Sequence, residues 1–185
     1  SSAGMYAENS TPSNSGTLDI VGEKSAGIFV KISDNNSYNI INTGDINLKN
    51  TATPAGEKSA GMYAEIKNGA TGTITLDNQK NITVDQEEAV GIYINNQTGD
   101  RTKAIAKNSA PDGTINLNAA KNVGIMADNG TGINDSVINV KNGNSAGMYG
   151  NRGALITNNK AINVSHENSA GMYTSDSDAE NYGTG

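Results

Sequence analysis

Gly44-Asp45-Ile46-Asn47-Leu48, followed after a turn by Ser59-Ala60-Gly61-Met62-Tyr63-Ala64, is the stretch on which the fold turns. Its second half is one of seven copies of a phrase in which a small or β-branched pair is closed by Gly and two large apolar residues follow. The other copies read Ser2-Ala3-Gly4-Met5-Tyr6, Ser25-Ala26-Gly27-Ile28-Phe29, Ala89-Val90-Gly91-Ile92-Tyr93, Asn122-Val123-Gly124-Ile125-Met126, Ser145-Ala146-Gly147-Met148-Tyr149 and Ser169-Ala170-Gly171-Met172-Tyr173. A unit recurring every 23 to 34 residues is too short to bury its own apolar face, so it must stack on copies of itself. The chain reads as a solenoid.

The first half of the stretch says which kind. Alternating apolar pairs Leu18/Ile20, Ile46/Leu48, Ile82/Val84, Ile115/Leu117, Ile138/Val140 and Ile162/Val164 precede the later glycines by nine residues, except that Ile46 precedes Gly61 by fifteen. Residues 50–55 look like an insertion in that one turn. Two period-2 segments joined by a turn of fixed length are strand, corner, strand. No window sustains helical apolar spacing, and Gly, Asn and Thr crowd the chain. These observations predict an all-β, right-handed parallel β-helix of about six to seven rungs, with stacked strands about 4.8 Å apart. Alternation places Ala26, Ile28 and Val30 inward and Ser25, Gly27 and Phe29 outward, with the same rule for the equivalent residues of other rungs. Ile74/Leu76 and Ala154-Leu155-Ile156 point to a third strand per rung, the alternative being a hairpin-like excursion that turns at Asn78-Gln79-Lys80. The glycines of the phrase should form one column.

Composition narrows the function. There is no Cys, no Trp and a single His, and the formal net charge is −6. Only Arg101 and Arg152 accompany the scattered lysines, so there is no basic stripe for nucleic acid. No apolar run approaches the roughly 18 residues of a transmembrane helix. Residues 1–185 read as a single β-helix segment cut from a longer array, since neither end carries a polar cap.

The variable segments are where a solenoid carries its contacts. The longest insertion is about 95–113, which includes Arg101; shorter excursions run over 31–44 and 49–56. Shortening 96–110 to a tight turn is expected to leave the β-helix folded. The outward aromatics Tyr6, Phe29, Tyr63, Tyr93, Tyr149 and Tyr173 hold six of the eight aromatic residues, with Met126 in the seventh place. Stacked up one face, such rings serve sugar CH surfaces or partner side chains, or merely shield the sheet. These six residues and Arg101 are the candidate ligand-binding set.

No catalytic, cofactor or metal site is expected. Carboxylates fall at different places in different rungs with no Arg column beside them, whereas glycosidase chemistry needs two placed within about 5 to 10 Å. Adjacent Glu87-Glu88 reads as a solvated corner. His166 alone cannot build a zinc site, and Asp176-x-Asp178-x-Glu180 lacks the Gly and ligand count of a calcium loop. No phosphate loop or nucleophile elbow occurs.

The repeated Ser-Ala-Gly-Met-Tyr-Ala after a Gly-x-Ile-x-Leu/Val strand resembles, over essentially the whole chain, the passenger repeats of the very large autotransporter adhesins of fusobacteria and their relatives. That resemblance implies a type V secreted passenger at the bacterial cell surface, carried by a C-terminal membrane barrel outside this segment. It implies partners among host-cell receptors, glycans or other bacterial surfaces, and a monomeric body. No binding residue carries over, because the matching motif is the scaffold. A purely structural stalk and, further off, a polysaccharide-degrading β-helix enzyme are the alternatives.

Overall fold

The computed structural model describes residues 2–49 and 59–183. Among these residues nineteen strands fall into three parallel sheets. The first sheet, A, stacks β1 (Ala3–Glu8), β3 (Ala26–Ile32), β6 (Ala60–Ile66), β9 (Val90–Asn96), β12 (Val123–Asp128), β15 (Ala146–Asn151) and β18 (Ala170–Ser175). Sheet B stacks β4 (Ser37–Asn42), β7 (Thr73–Asn78), β10 (Ala104–Asn108), β13 (Thr131–Asn134), β16 (Leu155–Asn158) and β19 (Asp178–Asn181). Sheet C stacks β2 (Leu18–Val21), β5 (Ile46–Lys49), β8 (Asn81–Val84), β11 (Thr114–Leu117), β14 (Val137–Val140) and β17 (Ile162–Val164). From β3 onward the chain runs A, B, C and back to A, and each circuit stacks on the last: a three-sided parallel β-helix. The first circuit touches sheet B only through a bridge from Asn14 to Asn42.

Fold and register are as the sequence predicts. Ala26, Ala60, Val90, Val123, Ala146 and Ala170 pair in succession, as do Ile28, Met62, Ile92, Ile125, Met148 and Met172, so the glycine between them forms one column. The third strand is present: Ile74 and Leu76 are fully buried in β7, and Ile156 in β16. The core is a filled tube of apolar columns, among them Ile28, Val30 and Ile32 from sheet A and Ile46, Leu48, Ile82 and Val84 from sheet C, all with no exposed surface.

Strict alternation fails at the phrase itself. A side chain on Gly27 would start 2.5 Å from the Gly61 carbonyl oxygen and 2.9 Å from Ile46 Cγ2, and one on Gly91 would start 2.6 Å from the Gly124 carbonyl and 3.0 Å from Ile115 Cγ2. Gly therefore faces the interior beside the inward Ile, at a bend that only a residue without Cβ fits. Ala26, Ala60 and Val90 are correspondingly displaced to the outer side. They are buried yet stand outside the core cluster, and Ala146 and Ala170 line an outer recess with Tyr149 and Tyr173.

The first residue of the phrase also has a job. The Ser59 hydroxyl accepts the main-chain N–H of Ser25 (3.2 Å), Ser145 that of Asn122 (3.0 Å) and Ser169 that of Ser145 (3.2 Å), while the Asn122 side chain does the same for Ala89 (3.0 Å). The preceding residues Lys24, Glu88, Lys121, Asn144 and Asn168 all hold left-handed backbone, with φ between 53° and 59°, and turn the chain from sheet C into sheet A.

The corner between sheets B and C holds a feature absent from the sequence reading. Asn14, Asn42, Asn78, Asn108, Asn134, Asn158 and Asn181 stack with each Nδ2 donating to the Oδ1 of the next, at distances from 2.8 to 3.0 Å. Most of the same nitrogens also donate to a carbonyl two residues on, as Asn42 does to Gly44 at 2.7 Å, which fixes which end of each amide is nitrogen. Asn108→Ala would leave one Asn78 Nδ2 hydrogen without its acceptor, the other still reaching the Lys80 carbonyl, and Asn134 Oδ1 without its donor, at about 1–3 kcal/mol in all. A denaturant midpoint unchanged from wild type would show that water replaces the lost amide.

The segments read as insertions are largely scaffold. The stretch 95–113 contains the end of β9, a single 3-10 turn at Arg101–Lys103 and then β10, which lies between β7 and β13 with Ala104, Ala106 and Asn108 fully buried. Only residues 97–103 leave the path of the rung, so removing 96–110 would take out a strand. The stretch 31–44 likewise contains β4. The insertion placed at 50–55, and with it most of the 49–56 excursion, lies outside the described residues.

Candidate aromatic face

The outward column of sheet A is a continuous side-chain stack. Tyr6 pairs with Phe29, Phe29 with Tyr63, Tyr63 with Tyr93, Tyr93 with Met126, Met126 with Tyr149 and Tyr149 with Tyr173. Phe29 and Tyr63 stack with centroids 4.8 Å apart and planes 16° from parallel, and Tyr63 and Tyr93 at 5.0 Å and 14°. Tyr6 meets Phe29 edge-on at 5.3 Å, and Tyr149 and Tyr173 stack at 5.4 Å and 21°. Parallel rungs impose the spacing, and the small Ala or Val three residues earlier lies on the same outer side as the ring. Met126 is nearly buried, and it divides the column into a run of four rings and a pair.

The run of four is bordered by charge. Two residues beyond each aromatic, Glu8, Lys31, Glu65, Asn95, Asp128, Asn151 and Ser175 form a second column in register. Lys31 pairs with Glu8 at 3.0 Å, Lys67 with Glu65 at 2.7 Å, and Gln97 donates to Glu65 at 2.8 Å. Arg152 Nε binds Asp128, and its Nη2 donates to Asn95 Oδ1 at 3.2 Å. Burial in the stack raises the Tyr63 hydroxyl above the ordinary tyrosine range, and burial together with the Asp128 carboxylate pushes Tyr93 up to about 12. Both phenols stay neutral at any physiological pH. The Asp128 hydrogen bond raises Arg152, which stays a cation.

The structure thus brings together Tyr6, Phe29, Tyr63, Tyr93, Tyr149 and Tyr173 and leaves Arg101 apart. Arg101 projects from the turn before β10, donating to Asp178 at 2.7 Å and to the Gly153 carbonyl at 3.5 Å; no ring of the column is among its partners. The arginine that does reach the aromatic face is Arg152. With Asp128 and Asn95 it escaped the sequence reading, although Asp128 and Asn95 stand two residues after Met126 and Tyr93, a position that alternation also places outward. Among the described residues no group of three or more His, Cys, Asp or Glu is placed to hold a metal ion.

Three parallel sheets wound about one apolar tube, with a polar and aromatic exterior, define a pectate lyase-like β-helix, where the term names a fold and carries no activity. Residues 1–99 match the family described as the BigA third pectate lyase-like domain. The chain belongs to that family, a domain of a bacterial surface protein of the adhesin passenger kind. The match supports that broader class and does not point to fusobacterial passengers in particular. No curated protein and no solved structure matches the chain.

Proposed function

We propose that this β-helix is an attachment segment of an autotransporter-type surface adhesin, engaging host cells or other bacteria through the aromatic face of sheet A and catalysing no reaction. The partly exposed column carries the reading: rings that only shielded the sheet would be covered, whereas Phe29, Tyr63, Tyr93 and Tyr149, each with a rung on both sides, stay partly open. The carboxylates nearest the column are engaged by Lys31, Lys67 and Arg152, an arrangement suited to a fixed surface rather than to proton transfer. The formal net charge of −6 favours partners other than nucleic acid.

Beads coated with the chain should adhere to epithelial cells or to bacterial lawns. Replacing Tyr63, Tyr93, Tyr149 and Tyr173 together by Ser should cut adhesion by tenfold or so, because aromatic side chains dominate binding hot spots. The outward positions leave the core intact, which circular dichroism would verify. A stalk without a ligand predicts no adhesion from the wild-type beads, and adhesion equal in both proteins would place the contact elsewhere on the rod.

A further inference from the structure

We propose that the recess at Tyr149 and Tyr173 on the outer face of sheet A is a binding site for a neutral saccharide. The inference rests on the attachment reading and specifies what this part of the face would take. The aromatic column changes character at Met126. Up to and including its rung, both borders carry charge: Lys24, Glu88 and Lys121 at the left-handed corner on one side, and Glu8, Lys31, Glu65 and Asp128, with Asn95 among them, on the other. In the last two rungs the same positions are Asn144 and Asn168 at the corner, and Asn151 and Ser175 on the far side. The sheet surface between them opens as well. Ala26 and Ala60 are buried in the lower rungs, whereas Ala146, also flanked by strands on both sides, is partly exposed; with Ala170 it floors a shallow recess walled by Tyr149 and Tyr173 and edged by Asn144 and Asn168.

The unengaged polar atoms give the recess its chemistry. Among the described residues, the amides of Asn144 and Asn168 and the hydroxyls of Tyr149 and Tyr173 have no hydrogen-bond partner, although the asparagines that stack in the interior are all engaged. The left-handed backbone, φ 56° at both, puts the two asparagines at equivalent places on the corner, one rung apart. A pyranose presents an apolar CH face to a ring and hydroxyls at its edge, which match a tyrosine platform and a primary amide with one acceptor and two donor hydrogens. The nearest cations, Lys121 at the corner one rung below and Arg152 beside Asn151, are held by Glu88 and Asp128, so an anionic sugar would bring a carboxylate to a recess whose neighbouring cations are already paired.

Saturation-transfer NMR and calorimetry with the intact chain test this, using lacto-N-tetraose and cellotetraose as neutral probes and 3′-sialyllactose as the anionic one. At least one neutral probe should bind, and the sialylated probe should bind about tenfold more weakly or not at all. Tyr173→Ala should weaken the neutral probe by about tenfold, in line with the loss of one aromatic contact. Asn168→Asp, which keeps a residue tolerant of left-handed backbone and imitates the Glu88 rung, should weaken it with the fold unchanged. Tyr182→Ala, on another corner, should have no effect. Failure of both neutral probes up to their solubility, or binding that survives Tyr173→Ala and Asn168→Asp, overturns the site; equal binding of 3′-sialyllactose overturns the specificity. Bead adhesion separates the two readings. Adhesion that needs the tyrosines while no sugar binds sinks the saccharide site alone, and sugar binding without any adhesion sinks the attachment role alone.

Discussion

Replacing Ile92 by Asp should destroy the cooperative melting of this β-helix. Ile92 has no exposed surface and stands in the inward column between Met62 and Ile125, so a carboxylate there has neither water nor a cation. Loss of the apolar contacts and burial of an unpaired charge together cost roughly 4 kcal/mol or more, against a total of about 5–15 for a domain. Because each rung is held by its neighbours, the damage spreads to β6 and β12. Burial raises the pKa of the introduced carboxyl in the folded state, so the charge penalty is absent below the unfolded value near 4 and grows as pH rises above it. The variant should therefore be less impaired at pH 4 than at pH 7 relative to wild type. Ile92→Met should melt within about 1.5 kcal/mol of wild type, since the column already accepts Met62 and Met148. A thermal scan of Ile92→Asp that overlays wild type would refute the inward assignment.

A pair of deletions makes the second large effect. Removing residues 96–110 should abolish folding, because it takes away β10, parts β7 from β13 and interrupts the amide ladder at Asn108. Replacing only 97–103 with a short turn should leave the chain folded, at a cost of about 1–3 kcal/mol for the buried Asn96 side chain, whose Oδ1 accepts from Thr98 and whose Nδ2 donates to the Asp100 carbonyl. That change removes the Arg101–Asp178 pair, whose side chains are 38% and 69% exposed, and exposed pairs contribute about 0–1 kcal/mol. Far-UV circular dichroism and limited proteolysis distinguish the two variants. Soluble, protease-resistant protein from the longer deletion would mean that sheet B tolerates a missing strand.

The contrast between those deletions also shows what the sequence could reveal. Strands with large side chains were legible: Ile46/Leu48 or Ile82/Val84 at a fixed distance from a glycine gave both sheets and register. Sheet B was harder because β10 fills its inward places with Ala104 and Ala106, which produce little hydrophobic signal and let a core strand pass for a loop. The swap of faces at Ala26 and Gly27 was hidden for a related reason. A period-2 reading assumes a straight strand, and the bend at Gly27 is visible only through what surrounds it. The aromatic column was legible residue by residue, whereas its division at Met126 into a charged and a neutral part depends on which corners lie beside it. The amide ladder did leave a trace. Asn14, Asn42, Asn78, Asn134 and Asn158 each stand four residues before the first inward apolar residue of the following sheet C strand. In a chain this rich in Asn the trace merges with the background, and the usual expectation sends such residues outward.

That ladder gives the rod an electrical direction. Hydrogen bonds in a sheet largely cancel as dipoles, since neighbouring residues point opposite ways. Every amide from Asn14 to Asn158 donates toward the next rung, so six bonds add head to tail and each polarises the one after it. Within the described ladder the positive end of every bond faces the Asn181 side and the negative end the Asn14 side.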